Sequence, residues 1–149
     1  MTQLSLHSPV GDLTVSEDDG AIVSVDWGWG ALQTETPLLI EARRQLNLYF
    51  DGDLETFDLP LRPHGSAFRQ QVWDAMLRIP YGSTETYGKI SAEVGVPARA
   101  VGGACGANPI PIIIPCHRVL AANGGMGGYS GEGGVETKVF LLRLEGALL

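Results

Sequence analysis

Pro115-Cys116-His117-Arg118-Val119 sets a thiol directly beside an imidazole and a guanidinium. A free cysteine titrates at about pH 8.5, so only a few per cent is thiolate at neutral pH. A nearby base or cation raises that fraction, and the thiolate is the nucleophile. Neighbours on an extended strand face opposite ways, so a turn or a bridging water would have to connect Cys116 to His117. A buried cysteine can also be no more than a small apolar side chain. Two features favour chemistry. His117 and Arg118 are costly to bury unpaired. The glycine-rich stretch 123–134, with Tyr129 and Ser130 inside it, follows closely and reads as a lid over a ligand. Glu145 ends a helix whose face is marked by Val135, Val139 and Leu142, and it is a candidate to hold the His117 tautomer. Cys105 has no basic neighbour closer than Arg99 and reads as structural.

The elements that must position these groups follow from spacing. Phe68, Val72, Met76 and Ile79 mark one face of a helix that begins near Ser66 and stops at Pro80-Tyr81-Gly82. A short helix covers about Tyr87–Val94, Gly95-Val96 makes a turn, and Pro97 opens a second helix reaching about residue 107. That is a helix-turn-helix pattern. The second helix holds Gly102, Gly103 and Gly106 in its interior, each costing about 1 kcal/mol relative to alanine. Something needs its backbone to come close: either another helix of the protein or a nucleic-acid groove. Arg99 is its one long charged side chain, and either leads an insertion or makes an ordinary surface ion pair. Asn108-Pro109-Ile110-Pro111 breaks the helix, and Ile112-Ile113-Ile114 reads as a buried β-branched run leading to the thiol.

The first 60 residues read as a small α+β unit. Leu13 and Val15, then Ile22, Ser24 and Asp26, alternate around the acidic turn 17–20, a hairpin signal. Pro37 opens a helix on which Leu38, Ala42, Leu46 and Tyr49 recur, and Asp51-Gly52 stops it. Residues 54–61 are expected to form one more strand, and Trp27 and Trp29 to cap the core. Arg62-Pro63-His64-Gly65 is a breaker cluster, giving domains 1–62 and 63–149.

A chain of 149 residues with 44% hydrophobic and 18% charged residues should fold rather than stay disordered. No apolar stretch is long enough for a membrane span, and residues 1–10 carry no export pattern, so a cytoplasmic chain with reduced cysteines is expected. Two cysteines and three scattered histidines (His7, His64, His117) show no metal-ligand spacing, and no phosphate-loop or dinucleotide fingerprint is present, so no metal and no cofactor are expected. The net charge of −7 argues against nucleic acid until it is divided. Residues 1–62 hold three basic and eleven acidic residues, a net of −8, and residues 63–149 hold seven and six, a net of +1.

The downstream motifs resemble those of the O6-alkylguanine-DNA alkyltransferases, also called methylated-DNA–protein-cysteine methyltransferases. Pro115-Cys116-His117-Arg118 is similar to the family's reactive motif. Phe68-Arg69-Gln70-Gln71-Val72-Trp73, Ile79-Pro80-Tyr81-Gly82, Ala98-Arg99-Ala100-Val101-Gly102, Asn108-Pro109, Gly128-Tyr129-Ser130-Gly131 and Leu141-Leu142 followed by Glu145-Gly146 fall in its order. The match is strong over about 66–146; upstream only size and a β-rich layout agree.

The resemblance implies an α+β protein: a ribonuclease-H-like N-terminal domain, then a mainly helical, winged-helix-like domain with the helix-turn-helix. It implies irreversible transfer of a methyl or larger alkyl group from O6 of guanine, and from O4 of thymine, to Cys116. The partner would be double-stranded DNA, met by a monomer that acts once. His117 would activate the thiol through a water, Glu145 orient His117, and Asn108 brace the turn before the reactive strand. Tyr87 would rotate the base and protonate the leaving guanine. Arg99 would enter the duplex, with Ala98 and Gly102 on the groove-facing helix. The Cys116 and Val119 carbonyls would accept from the guanine amino group, and Ser130 would donate near O6. Tyr129 and Arg118 would complete the pocket.

Two positions depart from the family. Gly106 stands where a basic residue is often found, and Cys105 where a larger apolar one is common. A roomier pocket and weaker, more salt-sensitive DNA binding are the expectations. The competing classes are a non-reactive lesion binder, which Cys116 argues against, and a papain-like thiol hydrolase, for which no motif is present.

Overall fold

Asp19 and Gly20 both sit at positive φ, 49° and 79°. Such a two-residue loop matches the right-handed twist of an antiparallel pair and closes a hairpin. It joins β2 (Leu13–Asp18) to β3 (Ala21–Trp27), and β1 (Thr2–Leu6) completes a three-stranded antiparallel sheet in the order β1-β2-β3. The computed structural model describes residues 1–129 and 131–149, and the chain separates into two compact units, Met1–His64 and Gly65–Leu149. No helix among the described residues is long and apolar enough to cross a membrane.

In the first unit the expected hairpin is present, and β1 was not foreseen. The pairing passes from Ser16↔Ser24 to Glu17↔Ile22 and skips Val23. That bulge buries Ile22, Val23 and Val25, out of step with the strict alternation read at Ile22, Ser24 and Asp26. Helix α1 (Pro37–Phe50) starts where the Thr36 hydroxyl accepts from the Leu39 amide at 3.1 Å. Its buried face is Leu39, Ala42, Gln45, Leu46, Tyr49 and Phe50, so Leu39 takes the place expected for Leu38. Residues 54–61 are not a strand: Leu61 alone bridges to Ile22. The buried Gln45 side chain binds both backbone groups of Asp58, and Pro60 has no N–H to give a ladder. Trp29 does not cap the core; it is 52% exposed and stacks on His7 with centroids 4.7 Å apart.

The second unit opens with α2 (Ala67–Leu77), which buries Val72, Trp73, Ala75 and Met76; Val72, Met76 and the following Ile79 are buried as read from spacing, and Phe68 alone of that face is exposed. The Trp73 indole N–H donates to the Ala104 carbonyl at 2.8 Å. That carbonyl belongs to the last turn of α4 (Ala98–Gly106), where helix acceptors lack intrahelical partners. Helix α3 (Tyr87–Val94) is capped by Thr86 and ends at Gly95, with φ 83°. Helices α3 and α4 form the expected helix-turn-helix. A Cβ placed on Gly102, Gly103 or Gly106 would meet nothing within 4 Å. Packing inside the protein therefore does not explain these glycines. The exposed face of α4 is Ala98, Arg99, Gly102, Gly103 and Gly106.

Two short strands, β4 (Glu85–Thr86) and β5 (Val119–Leu120), pair in parallel and tie the start of α3 to the residues after the thiol. Helix α5 (Val135–Leu144) buries Thr137, Lys138, Leu141 and Leu142, whereas Val135 is exposed. Its inward face is thus rotated from the Val135, Val139, Leu142 line expected.

Replacing Trp73 by phenylalanine removes the donor that satisfies the Ala104 carbonyl. We expect a loss of about 1–3 kcal/mol in urea unfolding of the Trp73→Phe protein, with little change in denaturant slope.

Candidate active site

The thiol is delivered by a strained turn. Ile112 has φ 74°, a left-handed conformation costly for a β-branched residue. The strain costs of order 1–3 kcal/mol. Burial of Ile110, Ile112, Ile113 and Ile114 exceeds it, at about 1.5–3 kcal/mol for each side chain. Asn108 braces the turn from within: its Nδ2 donates to the Ile114 carbonyl at 2.9 Å, and its Oδ1 accepts from the Ile110 amide at 2.9 Å. Cys116 then begins a single 3-10 turn, Cys116–Arg118, rather than an extended strand. Successive side chains on such a turn diverge without facing opposite ways.

Behind the thiol lies a buried charge network. His117 Nε2 and Glu145 Oε2 are 2.8 Å apart. Arg118 Nε donates to Glu145 Oε1 at 2.8 Å, its Nη2 to Oε2 at 3.0 Å, and its Nη1 to the Ile79 carbonyl at 2.7 Å. His117 is wholly buried, and Arg118 and Glu145 are nearly so. With Nε2–H donating to the carboxylate, Nδ1 carries the lone pair; it is buried and has no hydrogen-bond partner among the described residues. Burial pushes the His117 pKa down, against the pull of Glu145, so the imidazole is neutral and can accept a proton.

In front of the thiol is a cavity of about 500 Å³ lined by Tyr87, Gly102, Cys105, Gly106, Cys116, Gly128 and Tyr129. That is within the usual range for a small-molecule site. Burial pushes the Cys116 thiol up, while the Asn108 amide and the Lys138 ammonium act the other way. Cys105 is pushed up to about 12 by burial and by Cys116, and is inert at neutral pH. Burial also raises the Tyr87 phenol, which stays protonated and able to donate.

The structure thus brings Cys116, Tyr87, Gly102 and Tyr129 to one cavity, with Asn108, His117 and Glu145 behind it. Arg118 does not line that cavity; its charge is spent on Glu145. Val119 is buried, and its carbonyl already accepts from Lys138 Nζ at 2.7 Å. Ser130 lies outside the described residues. Arg99 is exposed and makes no ion pair or hydrogen bond among the described residues, so the ordinary surface pair fails. Lys138 was missed; it shares a helical face with Leu141, Leu142 and Glu145, a spacing that could have shown it.

Comparison with known proteins agrees with this geometry. Residues 67–147 match the 6-O-methylguanine DNA methyltransferase DNA-binding domain, and residues 2–63 match the ribonuclease-like domain of the same proteins. The chain belongs to the 6-O-methylguanine DNA methyltransferase family. A methylated-DNA–protein-cysteine methyltransferase of Methanosarcina acetivorans is 43% identical, covering 95% of this chain and 96% of that one. The constitutive one of Bacillus subtilis is 43% identical over 93% of this chain and 92% of its own length. Mycobacterium tuberculosis OGT in complex with DNA superposes with a TM-score of 0.88 at 40% identity, covering 99% of this chain and 94% of that chain.

His117 gives the family site a pH signature. Its folded pKa is depressed, so below about pH 6.5 the unfolded chain takes up a proton that the folded chain refuses. Its contribution to stability is full above that pH and is lost as pH falls toward the depressed folded value. A urea midpoint that declines with acid in this window, and declines less in His117→Gln, is the expected result.

Proposed function

We propose that the protein repairs DNA by moving an alkyl group from O6 of guanine to the sulfur of its own Cys116, once per molecule. The observation that carries this is Cys116 on the wall of a cavity shared with Gly102 and Gly106 of α4, next in the chain to a buried imidazole that is hydrogen-bonded to a carboxylate. The Sγ proton passes through a water to His117 Nδ1. Sulfur then forms a bond to the alkyl carbon, the carbon–O6 bond breaks, and its electron pair stays on the guanine. The Tyr87 hydroxyl supplies the proton that neutralises the leaving base. A thioether has no leaving path under these conditions, so the acceptor is consumed.

A stacked base cannot present O6 to the thiol, and extruding it costs a few kcal/mol. Helix α4 meets the minor groove through Ala98 and Gly102, where bulk would prevent approach, and Arg99 fills the place the base leaves. The Cys116 and Val119 carbonyls accept from the exocyclic amine, Ser130 donates near O6, and Tyr129 walls the pocket. O4-alkylthymine enters the same site. The small wall made by Gly102, Cys105 and Gly106 leaves room for groups larger than methyl. Both cysteines are free, as an acceptor thiol requires, and a reducing cytoplasm keeps them so.

Salt sensitivity should be the reverse of the sequence-level expectation. Of the seven basic residues in 63–149, Arg118 and Lys138 are buried, and Arg78 and Lys89 are held by Glu93 and Glu85. Few phosphates are neutralised, and the salt slope scales with their number.

Intact mass after incubation with an O6-methylguanine duplex should show one added methyl on Cys116 and none in Cys116→Ala; a benzylated duplex should add benzyl. Tight binding with no adduct, or turnover of an ester, would sink the proposal. Titrating duplex binding against salt should give a log–log slope of about 1–3 in magnitude, and Arg99→Ala should slow transfer.

A further inference from the structure

The turn Ile79-Pro80-Tyr81-Gly82 leaves α2 and comes back against the end of α5. It meets the charge network behind the thiol at four points. The Ile79 carbonyl accepts from Arg118 Nη1 at 2.7 Å. The Arg118 guanidinium carbon lies over the Tyr81 ring, 5.8 Å from its centroid. The Tyr81 hydroxyl donates to the Leu144 carbonyl at 3.3 Å. Gly82 sits at φ 83°, and a Cβ on it would come 3.3 Å from the Glu145 carbonyl. The turn therefore lies close against the residue that carries the carboxylate.

The ring answers a need of the network. A guanidinium donates in its own plane and leaves its faces bare. In Arg118 the edge is taken by Glu145 and Ile79, through Nε, Nη2 and Nη1. The side chain is buried, so water does not cover the face. An aromatic face supplies the attraction that water would have given, and supplies it best out of water. The hydroxyl bond is long for an O–H donor, so the ring carries most of the hold. Tyr81 is half-buried and does not line the cavity that Cys116 opens into. Any effect on the transfer passes through Arg118.

Among the described residues three charged groups act on His117. Glu145, past the end of α5, raises its pKa; Arg118 on the same turn and Lys138 on α5 lower it, and burial lowers it most. Burial keeps the neighbouring Cys116 thiol protonated. Helix α2, packed on the same turn, buries only the uncharged side chains Val72, Trp73, Ala75 and Met76. Loosening Arg118 thus has one sign. The carboxylate is neutralised less and water reaches the imidazole, and both changes favour the protonated ring.

We infer that Tyr81 is a positioning residue for the transfer: its ring holds the Arg118 guanidinium in register with the Glu145 carboxylate, and so keeps His117 free to accept the thiol proton. This rests on Cys116 being the acceptor and His117 its base.

The test compares the full chain with Tyr81→Leu and Tyr81→Phe. Two quantities are read across acid to neutral pH: the single-turnover rate with an O6-methylguanine duplex, and the imidazole nitrogen resonances of His117 in the DNA-free protein. The chain has three histidines, and the exposed His7 and His64 serve as internal references. In Tyr81→Leu the acid limb of the rate and the His117 titration should both move up by about half a unit or more. Affinity for an unmodified duplex should stay within about threefold. Tyr81→Phe keeps the ring and should keep both midpoints near those of the parent. A Tyr81→Leu protein with both midpoints unmoved overturns the inference, however much stability it loses. So does a Tyr81→Phe protein that shifts as far as Tyr81→Leu, because the ring would then not be what matters. The nitrogen titration needs no DNA, so a parent protein that fails to take methyl defeats the repair reading and leaves this comparison standing.

If Tyr81→Leu does not fold, the ring can be weakened without changing its shape. Fluorinating the phenylalanine of Tyr81→Phe at three ring positions withdraws charge from its face. The His117 titration should then move up relative to Tyr81→Phe, and an unchanged titration overturns the inference.

Discussion

One carboxylate, Glu145, holds the site together. It stands just past the end of α5 and takes one bond from His117 and two from Arg118, out of water. A buried ion pair gains little stability by itself, because desolvation offsets the Coulomb attraction. Its value is geometric. The bidentate guanidinium fixes the plane of the carboxylate, and the carboxylate fixes the tautomer and tilt of the imidazole. Arg118 also reaches the Ile79 carbonyl just beyond α2, so the 3-10 turn cannot move without breaking bonds to two other segments. The conformation of Cys116 follows from that constraint.

The strained backbone before the thiol depends on the same anchoring. A left-handed Ile112 persists only where its surroundings leave no alternative. Buried isoleucine side chains below it, the Asn108 amide across it and the locked 3-10 turn after it supply that enclosure. The thiol therefore points into its cavity before any ligand arrives. No ordering cost remains for the moment of reaction, which is where preorganised groups contribute most.

The sequence was legible where local rules and tertiary needs agreed. The Asp-Gly hairpin, the Pro37 helix start, the glycine turn at 95 and the small-residue helix are all set by backbone preference, and each was found close to its place. Faces were less legible. Phe68, Val135 and Leu38 fit helical periods as well as Trp73, Leu141 and Leu39 do, and only packing chooses between them. The strand expected at 54–61 failed because a glutamine side chain, thirteen residues upstream of Asp58, took the bonds a neighbouring strand would have made. At the site, the roles carried by residue type could be named from the motif, whereas Lys138 is polar and broke the apolar pattern used to draw the helix. Arg118 was set in the pocket because its partner, twenty-seven residues later, cannot be read from adjacency.

The glycines of α4 and the net charge settle each other. Gly102 and Gly103, inside α4, cost about 2 kcal/mol together, against a total stability of about 5–15 kcal/mol for an ordinary domain. Nothing inside the unit approaches them closely enough to recover that cost. An outside surface must, and it has to be one that a bare backbone can enter and a side chain cannot. A nucleic-acid groove fits this description, and a protein partner of ordinary texture would be met better by side chains. Eleven of the seventeen acidic residues lie in the first unit, and the second carries a net of +1 with much of its positive charge buried or paired. A diffuse basic field is therefore not what holds DNA. What the second unit offers a DNA surface instead is a smooth helix with one exposed, unpaired arginine at its start, so binding by this unit rests on shape more than on ionic attraction.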